Sequence, residues 1–159
     1  MDPQQLLQGR TRETSIRRDA RGRWHNGDDP IEHPSVARAF DGWVDRAEDG
    51  RYCLSNDINW AYVEIEGPPF FVREARLEPG GRVMLRLSGD LEEPLDPDSL
   101  RQDAEGSVYC DVKGGRLAAR FDRYALAALV DAAGGDDEQG PYIELGGRRI
   151  RPPVVDEPF

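Results

Sequence analysis

A chain of 159 residues with a net charge of −10 and an isoelectric point near 4.7 can form one compact domain or two very small ones sharing a core. The negative balance argues against bulk electrostatic attraction to nucleic acid or to an anionic membrane, which leaves small ligands and proteins as partners. Two cysteines far apart in sequence exclude a dense disulfide framework. There is no signal-peptide stretch between Met1 and Arg10, and no apolar run reaches the roughly 18 residues of a spanning helix. A soluble, cytoplasmic bacterial protein is expected.

In chain order, residues 1–15 have little periodicity and read as a flexible arm. Ile16 to Asp19 and Arg23 to His25 flank Ala20-Arg21-Gly22 as a short hairpin. From Pro34, a residue suited to the first helical position, Val36, Phe40, Trp43, Val44 and Ala47 recur at helical spacing up to a stop at Gly50. Tyr52 to Leu54 and the alternating Trp60 to Glu66 read as strands, with Ala61, Val63 and Ile65 on one face. Pro68-Pro69 interrupts, and Phe70 to Val72 resumes as an extended segment.

Past the turn Glu78-Pro79-Gly80-Gly81, Val83, Leu85 and Leu87 share a strand face. Asp96 is placed to cap a short helix begun by Pro97. Val108 to Val112 and Arg116 to Phe121 flank Lys113-Gly114-Gly115, a strong hairpin signal. Asp122 caps a helix expected to bury Leu126, Leu129, Val130 and Ala133 and to close at Gly134-Gly135. Tyr142 to Leu145 and Arg148 to Ile150 form a last hairpin.

One order recurs in this sequence. Trp24-His25-Asn26-Gly27-Asp28 leads to Pro30 and Pro34, as Leu87-Ser88-Gly89-Asp90 leads to Pro94 and Pro97, and a Tyr-Cys strand follows each, at Tyr52-Cys53 and Tyr109-Cys110. The expectation is an α+β protein of two structurally related halves, each a curled antiparallel sheet with a helix against it. The N-terminal half spans 16–78, the C-terminal half 79–151, and an irregular tail 152–159.

Several of these segments resemble a known family. Gly22-Arg23-Trp24-His25 with Pro30-Ile31, the stretch Trp60 to Phe70, Leu87-Ser88-Gly89-Asp90, and Leu117-Ala118-Ala119 followed by Arg123 stand in the order found in the uncharacterised bacterial proteins grouped as domain of unknown function 1285. The resemblance spans most of residues 16–133. It implies a duplicated α+β architecture, a C-terminal half like a pleckstrin-homology fold, and a ligand site between the halves, with signal transduction and a nucleotide-like ligand suggested for the family. The chain departs from the pattern in Gly67-Pro68-Pro69, where the family has Asp-Ala-Pro, and in the acidic Glu92-Glu93 region.

The residues themselves point to binding more than to catalysis. No G-x-S-x-G, P-loop, dinucleotide or H-E-x-x-H signature is present, and no catalytic residue, cofactor or metal ligand is assigned. His25, His33, Cys53 and Cys110 lack metal-ligand spacing, and the acidic run Asp90, Glu92, Glu93, Asp96, Asp98 lacks that of a calcium loop; a solvated acidic face is the alternative.

Guanidinium groups suit phosphate or carboxylate, so Arg86, Arg120 and Arg123 are the candidate anion-binding residues, against the alternative that they pair with the chain's surplus carboxylates. Trp24, Trp60 and Tyr109 are expected as apolar walls, and His25 and Asp90 as directional hydrogen-bonding groups. The expected function is a non-enzymatic ligand-binding or regulatory module, with a role in signal transduction and an anionic or nucleotide-like ligand between the halves. One alternative is a protein-interaction adaptor using exposed sheet edges; a second is a hydrolase in which His25 works beside a carboxylate or thiol.

Overall fold

The computed structural model describes residues 12–159, and their contacts divide the chain at Pro69/Phe70 into two compact units. It is an α+β protein of short strands, with two α-helices among the described residues. The division lies earlier than the expected 78/79, because Phe70–Leu77 is hydrogen-bonded wholly into the sheet of the second unit.

The first unit begins with a meander, β1 (Ile16–Arg18), β2 (Trp24–Asn26) and β3 (Asp29–Pro30). Helix α1 (Pro34–Trp43) follows, and then β4 (Val44–Arg46), β5 (Tyr52–Ser55), β6 (Trp60–Tyr62) and β7 (Glu64–Ile65). Two sheets result, ordered β3-β2-β1-β7 and β4-β5-β6, with β7 parallel to β1. Val63 sits between β6 and β7, so one expected strand divides there and passes the chain from one sheet to the other.

Helix α1 ends at Trp43, seven residues before the expected stop at Gly50. Val44 continues the helical periodicity but is fully buried opposite Leu54 in the β4–β5 ladder. A β-branched side chain gains more from that pleated packing than from another helical turn. Gly50 serves the following turn, at φ 88°.

The core of this unit joins Ile16, Trp24, Val36, Phe40, Val44 and Leu54. Trp24 meets Phe40 edge-on, ring centroids 5.4 Å apart. Within it lies a cation: Arg18, 2% exposed. Its guanidinium donates to the carbonyls of Pro68 and Pro69 and pairs with Asp41, whose Oδ1 also accepts from Trp24 Nε1 at 2.9 Å. Arg12 to Ser15, expected in the flexible arm, lie along β6: the Arg12 carbonyl accepts from Tyr62 N at 2.7 Å and Thr14 Oγ1 donates to the Tyr62 carbonyl at 2.6 Å. The rest of that arm falls outside the described residues.

The second unit opens with the meander β8 (Phe70–Leu77), β9 (Val83–Leu87) and β10 (Glu92–Pro94), followed by a single 3-10 turn (Pro97–Ser99) in place of the short helix expected up to Gly106. A second meander, β11 (Arg101–Gln102), β12 (Val108–Val112) and β13 (Leu117–Phe121), precedes α2 (Arg123–Ala133). The sheet order is β10-β9-β8-β13-β12-β11, with β13 parallel to β8. Asp122 caps α2 as expected, accepting from Ala125 N at 2.9 Å. The buried helix face is Ala125 and Leu129, whereas Val130, expected in the core, is 48% exposed.

A fourth sheet, β14 (Gly134–Asp137), β15 (Gly140–Leu145) and β16 (Arg148–Ile150), closes the unit. Its β15–β16 turn meets the β8–β9 turn: an added Cβ on Gly81, at φ +83°, would overlap the backbone nitrogen of Gly146 and lie 2.9 Å from its Cα. The tail, expected to be irregular, forms a parallel bridge from Val154 to Gln102.

Candidate functional site

The β4-β5-β6 sheet has one apolar face and one polar face. Its register pairs Val44 with Leu54 and Leu54 with Ala61, all buried; the alternate positions pair Asp45 with Cys53, Cys53 with Tyr62 and Ser55 with Trp60. That second face lines a concavity of about 580 Å³, with Cys53 at its floor, Ser55, Trp60 and Tyr62 along it, and Arg46, Glu48 and Asp49 on the rim.

Contacts with the surrounding chain hold the aromatic rings in place. Trp60 meets Tyr62 edge-on at 5.1 Å, the Arg12 guanidinium lies 4.6 Å from the Trp60 ring centre, and Arg51 lies 3.6 Å from that of Tyr62. Arg51 is fixed in turn by two 2.9 Å bonds to Glu13. The Tyr62 hydroxyl donates to Asp49 at 2.8 Å, which pulls the Asp49 carboxyl below its ordinary pKa and raises that of the phenol. Arg46 reaches the Gly50 carbonyl at 3.0 Å and covers Tyr52.

Three polar groups lining the concavity have no hydrogen-bond partner among the described residues: the Ser55 hydroxyl, the Trp60 indole N–H and the Glu48 carboxylate. Such a wall offers two donors, an acceptor and stacking surface together. Its formal charge is negative, with Asp45, Glu48 and Asp49 against Arg46.

Of the residues singled out from the sequence, Trp60 lies in this concavity. Trp24 and Tyr109, expected as walls, are 2% and 3% exposed: Trp24 belongs to the core of its unit, and Tyr109, on the sheet face it shares with Arg120, is covered by the Phe159 ring 5.7 Å away. His25 Nε2 donates to Asp19 Oδ2 over 2.8 Å, and its Nδ1 is buried with no partner among the described residues. The bond from His25, together with the Arg23 and Arg21 amides, lowers the Asp19 pKa to about 2.

The carboxylate required by the hydrolase reading is therefore present. No hydroxyl or thiol bonded to His25 completes it among the described residues, and burial raises the Cys110 thiol pKa to about 12, leaving it without thiolate character. No cluster of three or more metal-ligating side chains occurs among the described residues.

The second unit holds the remaining candidates. Arg86 bridges Glu74 at 2.9 Å and Asp90 at 3.0 Å, so Arg86 and Asp90 do meet, as a surface ion pair. Arg120 stands opposite Tyr109 across the β12–β13 ladder, and Arg123 begins α2; both are exposed.

Asp45, Glu48, Asp49 and Ser55 were not singled out from sequence. Tyr62 carried a signal, two positions after Trp60 on an alternating strand. The other four are ordinary polar residues that only the ladder register brings together.

The Asp19–His25 contact makes a prediction about acid. Because the folded carboxyl titrates below its unfolded value of about 4, the unfolded chain takes up the proton first as pH falls. The contact's stabilisation is complete above about pH 4 and is lost on descent toward about pH 2. Urea denaturation at stepped pH is expected to show a shallower acid loss in Asp19→Asn than in the wild type; equal slopes would show that Asp19 contributes nothing to it.

No helix among the described residues is long and apolar enough to cross a membrane. No protein-family model and no curated protein sequence matches the chain. Two solved structures are similar to it. A DUF1285 family protein from Silicibacter pomeroyi DSS-3 matches with a TM-score of 0.66 at 19% identity, over 93% of this chain and 85% of the other. A DUF1285 family protein from Shewanella baltica OS155 matches with a TM-score of 0.54 at 18% identity, over 69% of this chain and 85% of the other. The backbone path carries the likeness at these identities, and the chain has the fold of the DUF1285 family proteins.

Proposed function

We propose that the protein is a non-enzymatic ligand-binding or regulatory module whose ligand occupies the concavity on the β4-β5-β6 sheet. The carrying observation is the set of unpartnered polar groups of Glu48, Ser55 and Trp60 beside the rings of Trp60 and Tyr62. A nitrogen-bearing aromatic ring, such as the base of a nucleotide-like ligand, would stack there and offer its amino hydrogens to the carboxylates. Phosphate finds less favourable surroundings in this concavity, where acids outnumber arginine. Arg120 and Arg123, both exposed on the second unit, are where the anionic ligand expected from the sequence would find free surface.

We read the two units as copies of one plan. In each, a meander leads through a proline-started helical segment to a second meander, and a strand at its end, β13, or just after it, β7, pairs in parallel with the first strand of the unit. Tyr-Cys lies on the second strand of the second meander both times, in β5 and in β12. Helix α2, set after the six-stranded sheet, is the element in keeping with a pleckstrin-homology-like second half.

Thermal unfolding with nucleosides, nucleotides and aromatic amines at millimolar concentration tests the site. A base-bearing compound is expected to raise Tm in the wild type, and Trp60→Ala is expected to abolish that shift. No shift with any of them, or a shift that survives the substitution, would rule out the concavity as the site.

A further inference from the structure

The chain's own tail shows what the outer edge of the six-stranded sheet can hold. Strand β11 ends the sheet order, and an edge strand presents unpaired amides and carbonyls. Residues 152–155 lie along it: Gln102 N donates to the Pro153 carbonyl at 2.8 Å, Val155 N donates to the Gln102 carbonyl at 2.8 Å, and Gln102 Nε2 donates to the Pro152 carbonyl at 2.8 Å. Further on, Arg101 Nε and Nη2 both donate to the Pro158 carbonyl, at 2.9 and 2.7 Å. The Phe159 ring lies 5.7 Å from that of Tyr109.

The receiving groups are built into the sheet and do not depend on the tail for their positions. Arg101 is held from behind by the Ser99 carbonyl and Asp111, both at 2.9 Å, and its side chain is 19% exposed. Tyr109 is buried in its strand and bonded through its hydroxyl to Asp103. A fixed guanidinium fork, a paired edge strand and an aromatic platform form a peptide-recognition surface of the strand-addition kind.

The occupant is itself largely in solvent, with Val154 65% and Phe159 50% exposed. Its prolines have no amide hydrogen to add to the ladder and favour an extended path in the free segment as in the docked one.

We propose that the β11 edge, with Arg101, Gln102 and Tyr109, is a docking site for an extended partner peptide of the type Pro-Val-Val-acid-acid-Pro-aromatic, and that residues 152–159 occupy it in cis. The tail acts as an internal competitor at millimolar effective concentration, so a partner segment binds only where its larger side chains gain more than the half-covered Val154 and Phe159 do. This site is separate from the concavity, and neither proposal depends on the other.

The test uses the full chain and a fluorescent peptide of the sequence Arg-Pro-Pro-Val-Val-Asp-Glu-Pro-Phe, followed by anisotropy. Val155→Pro removes the Val155 N–H that reaches Gln102 without touching the sheet, and is expected to tighten peptide binding at least about tenfold by unseating the tail. Adding Arg101→Ala to that variant is expected to abolish binding, and amide resonances of Arg101 and Gln102 are expected to move on titration of the variant with the peptide. A Val155→Pro chain with wild-type far-ultraviolet dichroism that binds no peptide at millimolar concentration would overturn the proposal. So would concentration-dependent dimerisation of the wild type, which would make a second copy's tail the occupant.

Discussion

Replacing Arg18 by alanine is expected to destabilise the first unit by about 3–5 kcal/mol, the cost of removing one partner from a buried charge pair. The loss has three parts. The carbonyls of Pro68 and Pro69, both in buried residues, lose their guanidinium donor, and Asp41 keeps only part of its hydrogen bonding, through Trp24 Nε1. The arginine stem also leaves a void against Trp24, whose ring lies 5.6 Å from the guanidinium carbon. Asp41→Asn retains an acceptor for Trp24 but leaves the buried Arg18 cation without its carboxylate, and is expected to cost about 1.5–3 kcal/mol. Urea denaturation followed by tryptophan fluorescence separates the two; a loss below about 1 kcal/mol in Arg18→Ala would mean that water takes over the guanidinium's bonds.

Gly81→Ala is the second large effect, in the other unit. Two penalties combine: a side chain at φ +83°, and a Cβ driven against the backbone of Gly146. Left-handed strain of about 1–2 kcal/mol and a clash of about 1–3 kcal/mol lead to an expected total of about 2–5 kcal/mol. Gly114→Ala is the control, since Gly114 shares a positive φ of +68° but has nothing within 4 Å of an added Cβ. Gly114→Ala is expected to show the strain alone. Equal losses in the two variants would show that the turn-to-turn contact yields without cost.

Local chemistry made much of this fold readable. The turns at Lys113-Gly114-Gly115 and Gly146-Gly147, the Asp122 cap and the proline at the start of α1 follow from backbone conformations that few residues adopt, so a single residue type carries the signal. The end of α1 was hidden, because Val44 satisfies the helical period as well as the strand position it takes; its partner Leu54 decides, and lies beyond any local window.

The same reason divides the site residues. Trp60 could be named from its type, but an aromatic in a sequence does not declare whether it faces solvent: Trp24 is buried in its core, and Tyr109 is buried beneath the Phe159 ring. Arg18 reads as one more arginine in a basic stretch, and nothing local announces that Pro68 and Pro69 will meet it. Arg86 took the course its composition suggested, pairing with Glu74 and Asp90 in a chain rich in carboxylates.

The parallel ladders β1–β7 and β8–β13 have a kinetic consequence. Arg17 waits for Glu64, and Phe70 for Ala119, so each closure joins residues far apart in the sequence. Hairpins form in microseconds, but sequence-distant pairing must first overcome loop entropy, which places such sheets among slow folders. During synthesis the first meander of either unit will stand with an open edge until its last strand emerges, and that interval is when the nascent chain is most exposed to misassociation.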